Sequence, residues 1–290
     1  MAKTLGMIGV GKMGLALSQQ MIADGYEVVG FDTDPERLAL LEQAGGKRAA
    51  HARDVAENSD ITFSILLKDA HIEANLFGPD SVTAAGKRGH IHVEMSTMPP
   101  PYVKDLADRL AAAGVTMLDA PISGSAPQVD NRTITFMVGG PDDAWAQVRP
   151  ILEKLSADAT HTGAVGTGAT MKVVTNLFVN ACTALLAEVV LTGERAGLSH
   201  EVMGHCLSKG SVRGAMLDMS TGPLFNRDFT PRGAVEIFVK DTGIAIELAK
   251  ANGIDLQVVP AARAMFQRAE AAGWGKDDAT RVIEVYEGKA

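Results

Sequence analysis

Cysteine is scarce: Cys182 and Cys206 are the only two in 290 residues, and there is no C-x-x-C. That argues against a disulfide framework and fits a reducing cytoplasm. Positive charge is also short, with 27 Lys and Arg against 35 Asp and Glu, a net charge of −8. Nucleic acid and anionic membrane surfaces both call for basic patches, so neither is expected as a partner. The opening M-A-K-T-L-G-M-I-G-V has one lysine and a short apolar run before glycine, which does not read as a signal peptide. No stretch reads as the roughly 20 apolar residues that would span a bilayer. A metal site is not expected either. His90 and His92 share one face of a strand, but no third ligand stands nearby at a suitable spacing, so they read as core or edge histidines.

What is present is an ordinary globular balance, 46% hydrophobic and 21% charged, in a chain long enough for two domains. In the first half, apolar strand-like runs alternate with helical stretches. Strands are predicted at 4–10, up to Phe31, at 61–67, 90–95, 115–119 and 133–138, and helices at 14–23, 35–42 and 103–113. That alternation implies a parallel sheet covered on both faces. Beyond a glycine-rich joint at 162–168, strand signals nearly vanish and one long apolar helical pattern covers 169–195. A helix apolar all round is expected to be buried between domains or protomers. The fold class expected is α/β: a doubly wound Rossmann domain over 1–163, then an all-helical domain over 164–290.

The first turn carries chemistry. Gly9, Val10, Gly11, Lys12, Met13 and Gly14 form G-x-G-x-x-G after a strand and at the start of a helix, the context in which this pattern binds a dinucleotide. Gly9 permits the turn, Gly11 lets a pyrophosphate approach the backbone, and Gly14 allows helix and strand to pack closely. Asp32 follows Gly14 by 18 residues, near the roughly 20 expected of an acid that accepts ribose hydroxyls. A carboxylate there would repel a 2′-phosphate, which favours NAD over NADP, although Arg37 is close enough in sequence to admit NADP. The plainer alternative is a ligand-free glycine turn with Asp32 capping a helix.

Three further stretches bear on a substrate. M-S-T-M-P (95–99) closes a strand, and D-A-P-I-S-G-S-A-P (119–127) follows another. In G-A-T-M-K-V-V-T-N (168–176), Lys172 and Asn176 sit one helical turn apart in an apolar run. Loops at the carboxyl ends of parallel strands are where such sheets bind ligands. Small residues at Ser123, Gly124 and Ser125 leave backbone N–H groups for an anion such as a carboxylate. Lys172 would exchange a proton with a substrate oxygen if its surroundings favour the neutral amine, with Asn176 orienting it or the substrate. An interdomain salt bridge is the bland reading of Lys172, and a solvated helix face that of Lys240-Asp241. Arg213 is equally consistent with a substrate carboxylate or a surface role.

These motifs, in this order, resemble the β-hydroxyacid dehydrogenase family, which includes 3-hydroxyisobutyrate dehydrogenases, tartronate semialdehyde reductases and 6-phosphogluconate dehydrogenases. The resemblance covers nearly the whole chain. It implies a Rossmann domain, a long interdomain helix and a helical domain, with the substrate site at the domain interface and a homodimer or homotetramer as the assembly. It implies Lys172 as the catalytic lysine, and Ser123, Gly124, Ser125 and Asn176 as substrate-binding residues. It places Leu66, Leu67, Thr97 and Lys240 at the cofactor. Three departures stand out: Ser125 replaces a glycine, A-P-Q-V-D-N-R (126–132) replaces small residues, and Leu67 stands where proline is common. The altered loop suggests a different substrate selection. The segment 228–241 is most similar to the threonate dehydrogenase branch. The resulting expectation is a cytoplasmic, NAD-dependent oxidation of a small 3-hydroxy acid resembling 3-hydroxyisobutyrate, glycerate or threonate. Two alternatives remain: a non-catalytic nucleotide-binding module, and an imine reductase-like enzyme, against which Lys172 argues.

Overall fold

The structure is a computed structural model, and it describes residues 3–290. One compact unit ends at Lys172 and a second runs Val173–Ala290.

The first unit is built on β1 (Thr4–Ile8), β2 (Glu27–Phe31), β3 (Lys47–Arg48), β4 (Ile61–Ser64), β5 (His90–Glu94), β6 (Val115–Asp119), β7 (Ile122–Ser123), β8 (Thr135–Gly139) and β9 (Asp158–Gly163). They lie in the order β3-β2-β1-β4-β5-β6-β8-β7, with β9 paired to β8. The run from β3 to β6 is parallel, in registers such as Thr4↔Glu27 and Thr62↔His92. At the far edge the sheet is mixed: β8 is antiparallel to both β6 and β7, and β9 is parallel to β8.

Helices α1 (Lys12–Ala23), α2 (Pro35–Gln43), α3 (Ala52–Glu57), α4 (Asp69–Phe77), α5 (Pro100–Ala112), α6 (Ala126–Asp130) and α7 (Asp142–Leu155) cover both faces. One core joins Leu5, Met7, Phe63 and Val93 of the strands to Leu17 and Met21 of α1 and Val148 and Leu152 of α7. The other joins Ile8 and Met117 to Val55 of α3, Ile72 of α4 and Leu106 of α5. Burial on both faces explains why these strands read as continuous apolar runs rather than alternating ones.

The second unit is helical. Helix α8 (Thr167–Arg195) leads into α9 (His200–Lys209), α10 (Ala215–Asn226), α11 (Val235–Ala251), α12 (Val258–Ala269) and α13 (Val282–Tyr286). Its core holds Ala187, Val190, Leu224, Val235, Phe266 and Ile283. Arg227 ties three elements together, reaching Glu194 Oε2 and Glu287 Oε1 at 2.7 Å each. Helix α8 corrects one expectation: by length and composition it is apolar enough to cross a membrane. Five of its large apolar side chains, Met171, Val174, Phe178, Leu185 and Val189, are exposed on the chain as it stands.

Candidate active site

The turn between β1 and α1 is shaped by its glycines. Gly9 has a φ of 88°, and its N–H donates to Phe31 O at 2.9 Å. A Cβ on Gly14 would run into the carbonyl oxygen of Gly9, so α1 packs on the strand end only because that residue is glycine. Beyond Gly11 the space is open, with no atom within 4 Å of where a Cβ would sit. No side chain caps the N-terminus of α1 at Gly11. Such an opening in front of uncapped helix N–H groups fits a dinucleotide pyrophosphate. Lys12 is exposed and Met13 half-buried beside it.

Asp32 lies just past β2 and is brought to this loop. Its Oδ2 accepts Val10 N–H at 2.7 Å and its Oδ1 accepts Asp34 N–H at 2.9 Å. The side chain is half-buried, so part of the carboxylate stays open to solvent. Asp34, not Asp32, caps α2, by accepting Glu36 N–H at 2.9 Å. Arg37 reaches Asp34 at 3.8 Å.

The exits of β4 and β5 are stitched together. Leu66 N–H donates to Ser96 Oγ at 2.8 Å, Ser96 N–H to Glu94 Oε1 at 2.8 Å, and Ser64 Oγ to Glu94 Oε2 at 2.5 Å. Glu94 is fully buried, Thr97 is half-buried one residue beyond Ser96, and Leu67 is 78% exposed. His92 is buried between Thr62 Oγ1, 2.8 Å from its Nδ1, and Ser64 Oγ, 3.0 Å from its Nε2. His90 reaches Thr62 Oγ1 at 3.1 Å, and burial pushes its pKa down to about 4. Both histidines belong to the sheet's polar ladder. Among the described residues, no three His, Cys, Asp or Glu form a group able to hold a metal ion.

Ser123 ends β7, and Gly124 has a φ of 139° where a Cβ would meet the Ile134 side chain at 2.6 Å. Ser125 departs from the expectation of free loop amides. It caps α6 in a capping box, and its N–H donates to Gln128 Oε1 at 3.0 Å. Arg132, at a φ of 55°, is held at 2.7 Å by Asp24 Oδ1, so in this chain the altered loop is tethered to the end of α1.

Lys172 stands near the start of α8 and is half-buried. One turn on, Asn176 is buried and donates from Nδ2 to Asp241 Oδ2 at 2.8 Å. Asp241, on α11, is 8% exposed, and its Oδ1 lies 3.6 Å from Lys240 Nζ. Asn180, a further turn along α8, is 2% exposed. Arg213 is exposed. Sequence reasoning passed over Glu94, Asp119 and Asp241 as working groups. The signal was an acid inside an apolar strand, or next to a lysine in an apolar helix, where an unpartnered charge is costly.

A dinucleotide loop on a doubly wound sheet, followed by a long helix carrying a lysine and an asparagine one turn apart, fits a nicotinamide-dependent dehydrogenase. Residues 4–164 match the family model for the NAD binding domain of 6-phosphogluconate dehydrogenase. Residues 166–286 match that for the NAD-binding region of NADP-dependent 3-hydroxyisobutyrate dehydrogenase. The L-threonate dehydrogenase of Cupriavidus necator is 30% identical over 289 residues, covering 99% of this chain and 97% of that one. The 2-(hydroxymethyl)glutarate dehydrogenase of Eubacterium barkeri is 30% identical over 284 residues, covering 98% and 94%. The crystal structure of a 3-hydroxyisobutyrate dehydrogenase from Salmonella typhimurium superposes with a TM-score of 0.89 at 30% identity, covering 98% of this chain and 99% of that one. The chain belongs to the β-hydroxyacid dehydrogenase family, oxidoreductases that act on CH–OH groups with a nicotinamide cofactor, and NAD is the cofactor this family favours. Helix α8 falls inside the matched stretch, so its apolar length belongs to the dehydrogenase fold.

Proposed function

We propose that this enzyme oxidises a small 3-hydroxy acid with NAD, with Lys172 as the general base. Bound NAD supplies the acceptor for the hydride leaving the hydroxyl-bearing carbon. The protein's part is to hold the acid and manage the proton. In this reading the pyrophosphate lies against Gly9–Gly14 and a ribose against Asp32, with Leu66, Leu67, Thr97 and Lys240 as further cofactor contacts. Ser123, Gly124 and the Ser125 hydroxyl hold the substrate carboxylate, and Asn176 orients the substrate. Lys172, as the neutral amine, takes the hydroxyl proton while the C–H pair leaves, and it returns that proton in the reductive direction.

The observation that carries this reading is the order imposed on α8. Asn176 is buried and fixed by Asp241, and the lysine stands one turn before it on the same helix. A module that only bound nucleotide would need neither. The similarity to the threonate and hydroxymethylglutarate enzymes favours an acid with polar substituents beyond the reacting hydroxyl. We place the enzyme in the cytoplasm as a homodimer or homotetramer.

Purified protein mixed with NAD or NADP and a panel of acids (threonate, glycerate, 3-hydroxyisobutyrate, 3-hydroxypropionate, serine) tests this by nicotinamide absorbance. Turnover of one acid with NAD is expected. Lys172→Ala is expected to bind NAD as the native enzyme does and to lose at least about a hundredfold in kcat, the weight of a general acid or base. Undiminished turnover in that variant would remove Lys172 from the chemistry.

A further inference from the structure

We propose that Asp119 is the positioning residue for Lys172. Its buried carboxylate locks the first turn of α8, and so sets where the amine stands relative to the Ser123–Ser125 loop. This rests on the reading of Lys172 as the general base.

Asp119 is the last residue of β6 and is 1% exposed. Its Oδ1 accepts Gly166 N–H at 2.8 Å and its Oδ2 accepts Ala169 N–H at 2.7 Å. The Gly168 amide also donates to it. Helix α8 begins at Thr167, so these N–H groups belong to the helix terminus and have no carbonyl of their own to bond. A carboxylate at that end also meets the positive pole of the helix. Burial pushes its pKa up, while these amides hold it down. This acid therefore has a structural partner set that a solvated cap would not need.

The surrounding backbone is shaped for that approach. A Cβ on Gly139, at the end of β8, would lie 2.5 Å from Asp119 Oδ1. A Cβ on Gly168 would lie 2.9 Å from Oδ2 and 2.7 Å from the Asp119 carbonyl oxygen. Glycine at both places lets the ends of β6, β8 and α8 close on one carboxylate. Downstream, the two arms of this joint are the two halves of the chemistry. Four residues along the chain from Asp119 stands Ser123, and three residues along α8 from Ala169 stands Lys172. A general base works only when held within hydrogen-bond reach of its proton, and a displacement of about 1 Å can cost on the order of a hundredfold.

The test is a double-mutant cycle of Asp119→Asn and Lys172→Ala, assayed with NAD and the best acid of the panel. The amide keeps the size of the acid but turns a donor toward a helix N–H. Asp119→Asn alone is expected to lower kcat about 10- to 100-fold, with KM for NAD within about twofold of native. In the Lys172→Ala background it is expected to cost less than about twofold more, because nothing is left to position. Equal losses in both backgrounds, or a native kcat in the single variant, would overturn the positioning role while leaving Lys172 as the base. A native kcat in Lys172→Ala would instead overturn the base itself, and the positioning role with it. Hydrogen exchange on the native enzyme gives a reading even where Asp119→Asn does not fold. The Gly166, Gly168 and Ala169 amides are expected to be as slow as the middle of α8, and exchange at the rate of an open helix end overturns the lock.

Discussion

At the scale of single residues, the glycine loop separates two demands that G-x-G-x-x-G runs together. Gly14 is required by the fold, because a Cβ there runs into the Gly9 carbonyl. Gly11 is not required by the fold, since a Cβ there would touch nothing in the protein, and in the proposed reading the demand for glycine there comes from the bound pyrophosphate. Gly11→Ala is therefore expected to melt at the native temperature but to bind NAD at least about tenfold more weakly, whereas Gly14→Ala loses both stability and binding. Thermal melts beside NADH fluorescence titrations read the two apart, and native NAD affinity in Gly11→Ala would place the pyrophosphate elsewhere. His90 makes a pH prediction. Burial is the main cause of its low pKa, followed by the nearby His92 and Lys87, with Asp60 opposing. Its folded pKa of about 4 lies below the ordinary 6.5, so below pH 6.5 the unfolded chain binds a proton that the folded chain refuses. Stability is then lost as pH falls from 6.5 toward 4, by about 2 kcal/mol at pH 5. Urea unfolding at pH 7.5 and 5 should show a smaller loss in His90→Gln than in the native chain. Equal losses would assign the acid sensitivity to other groups.

At the scale of elements, much of the first unit was legible because burial on both faces writes long apolar runs. Residues 115–119 emerged as β6 without a shift, and the strand ending at Phe31 is β2. What stayed hidden had weak or borrowed signals. The strand β9 reads D-A-T-H-T-G, polar enough to pass for a loop, and it forms because β8 offers it a parallel edge. The turn-like A-P-Q-V-D folds as α6 because Ser125 and Gln128 satisfy each other's backbone groups. That pairing also explains the Ser125 departure locally, as a helix cap. Ser125→Ala is expected to cost about 1 kcal/mol in chemical denaturation, the usual worth of an N-cap side chain. A variant as stable as the native chain would show that Arg132 and Asp24 alone hold the segment. The site was legible as motifs but not as couplings. Nothing in the spacing of Asp119 and Ala169, or of Asn176 and Asp241, tells that two acids hold the N-terminal half of α8, since those pairings arise only when distant segments meet.

At the scale of the molecule, the exposed side of α8 bears on assembly. Val174, Phe178, Leu185 and Val189 recur at helical spacing, with Phe178 66% and Leu185 56% exposed. Phe178 and Leu185 are seven residues apart, the repeat that keeps one helix stripe facing a partner. Single exposed apolar residues are ordinary, but a stripe of them marks an interaction surface. The net charge of −8 keeps separate chains apart, so association needs this apolar burial to outweigh repulsion. In the proposed assembly, copies of this chain cover the stripe. Phe178→Asp with Leu185→Asp places two carboxylates on it, and each buried charge would be too costly to keep. Light scattering after size exclusion is expected to give a dimer or tetramer for the native protein and the mass of one chain, 30.5 kDa, for the double variant. An unchanged oligomer in that variant would move the interface to another face, and a native monomer would remove the assembly.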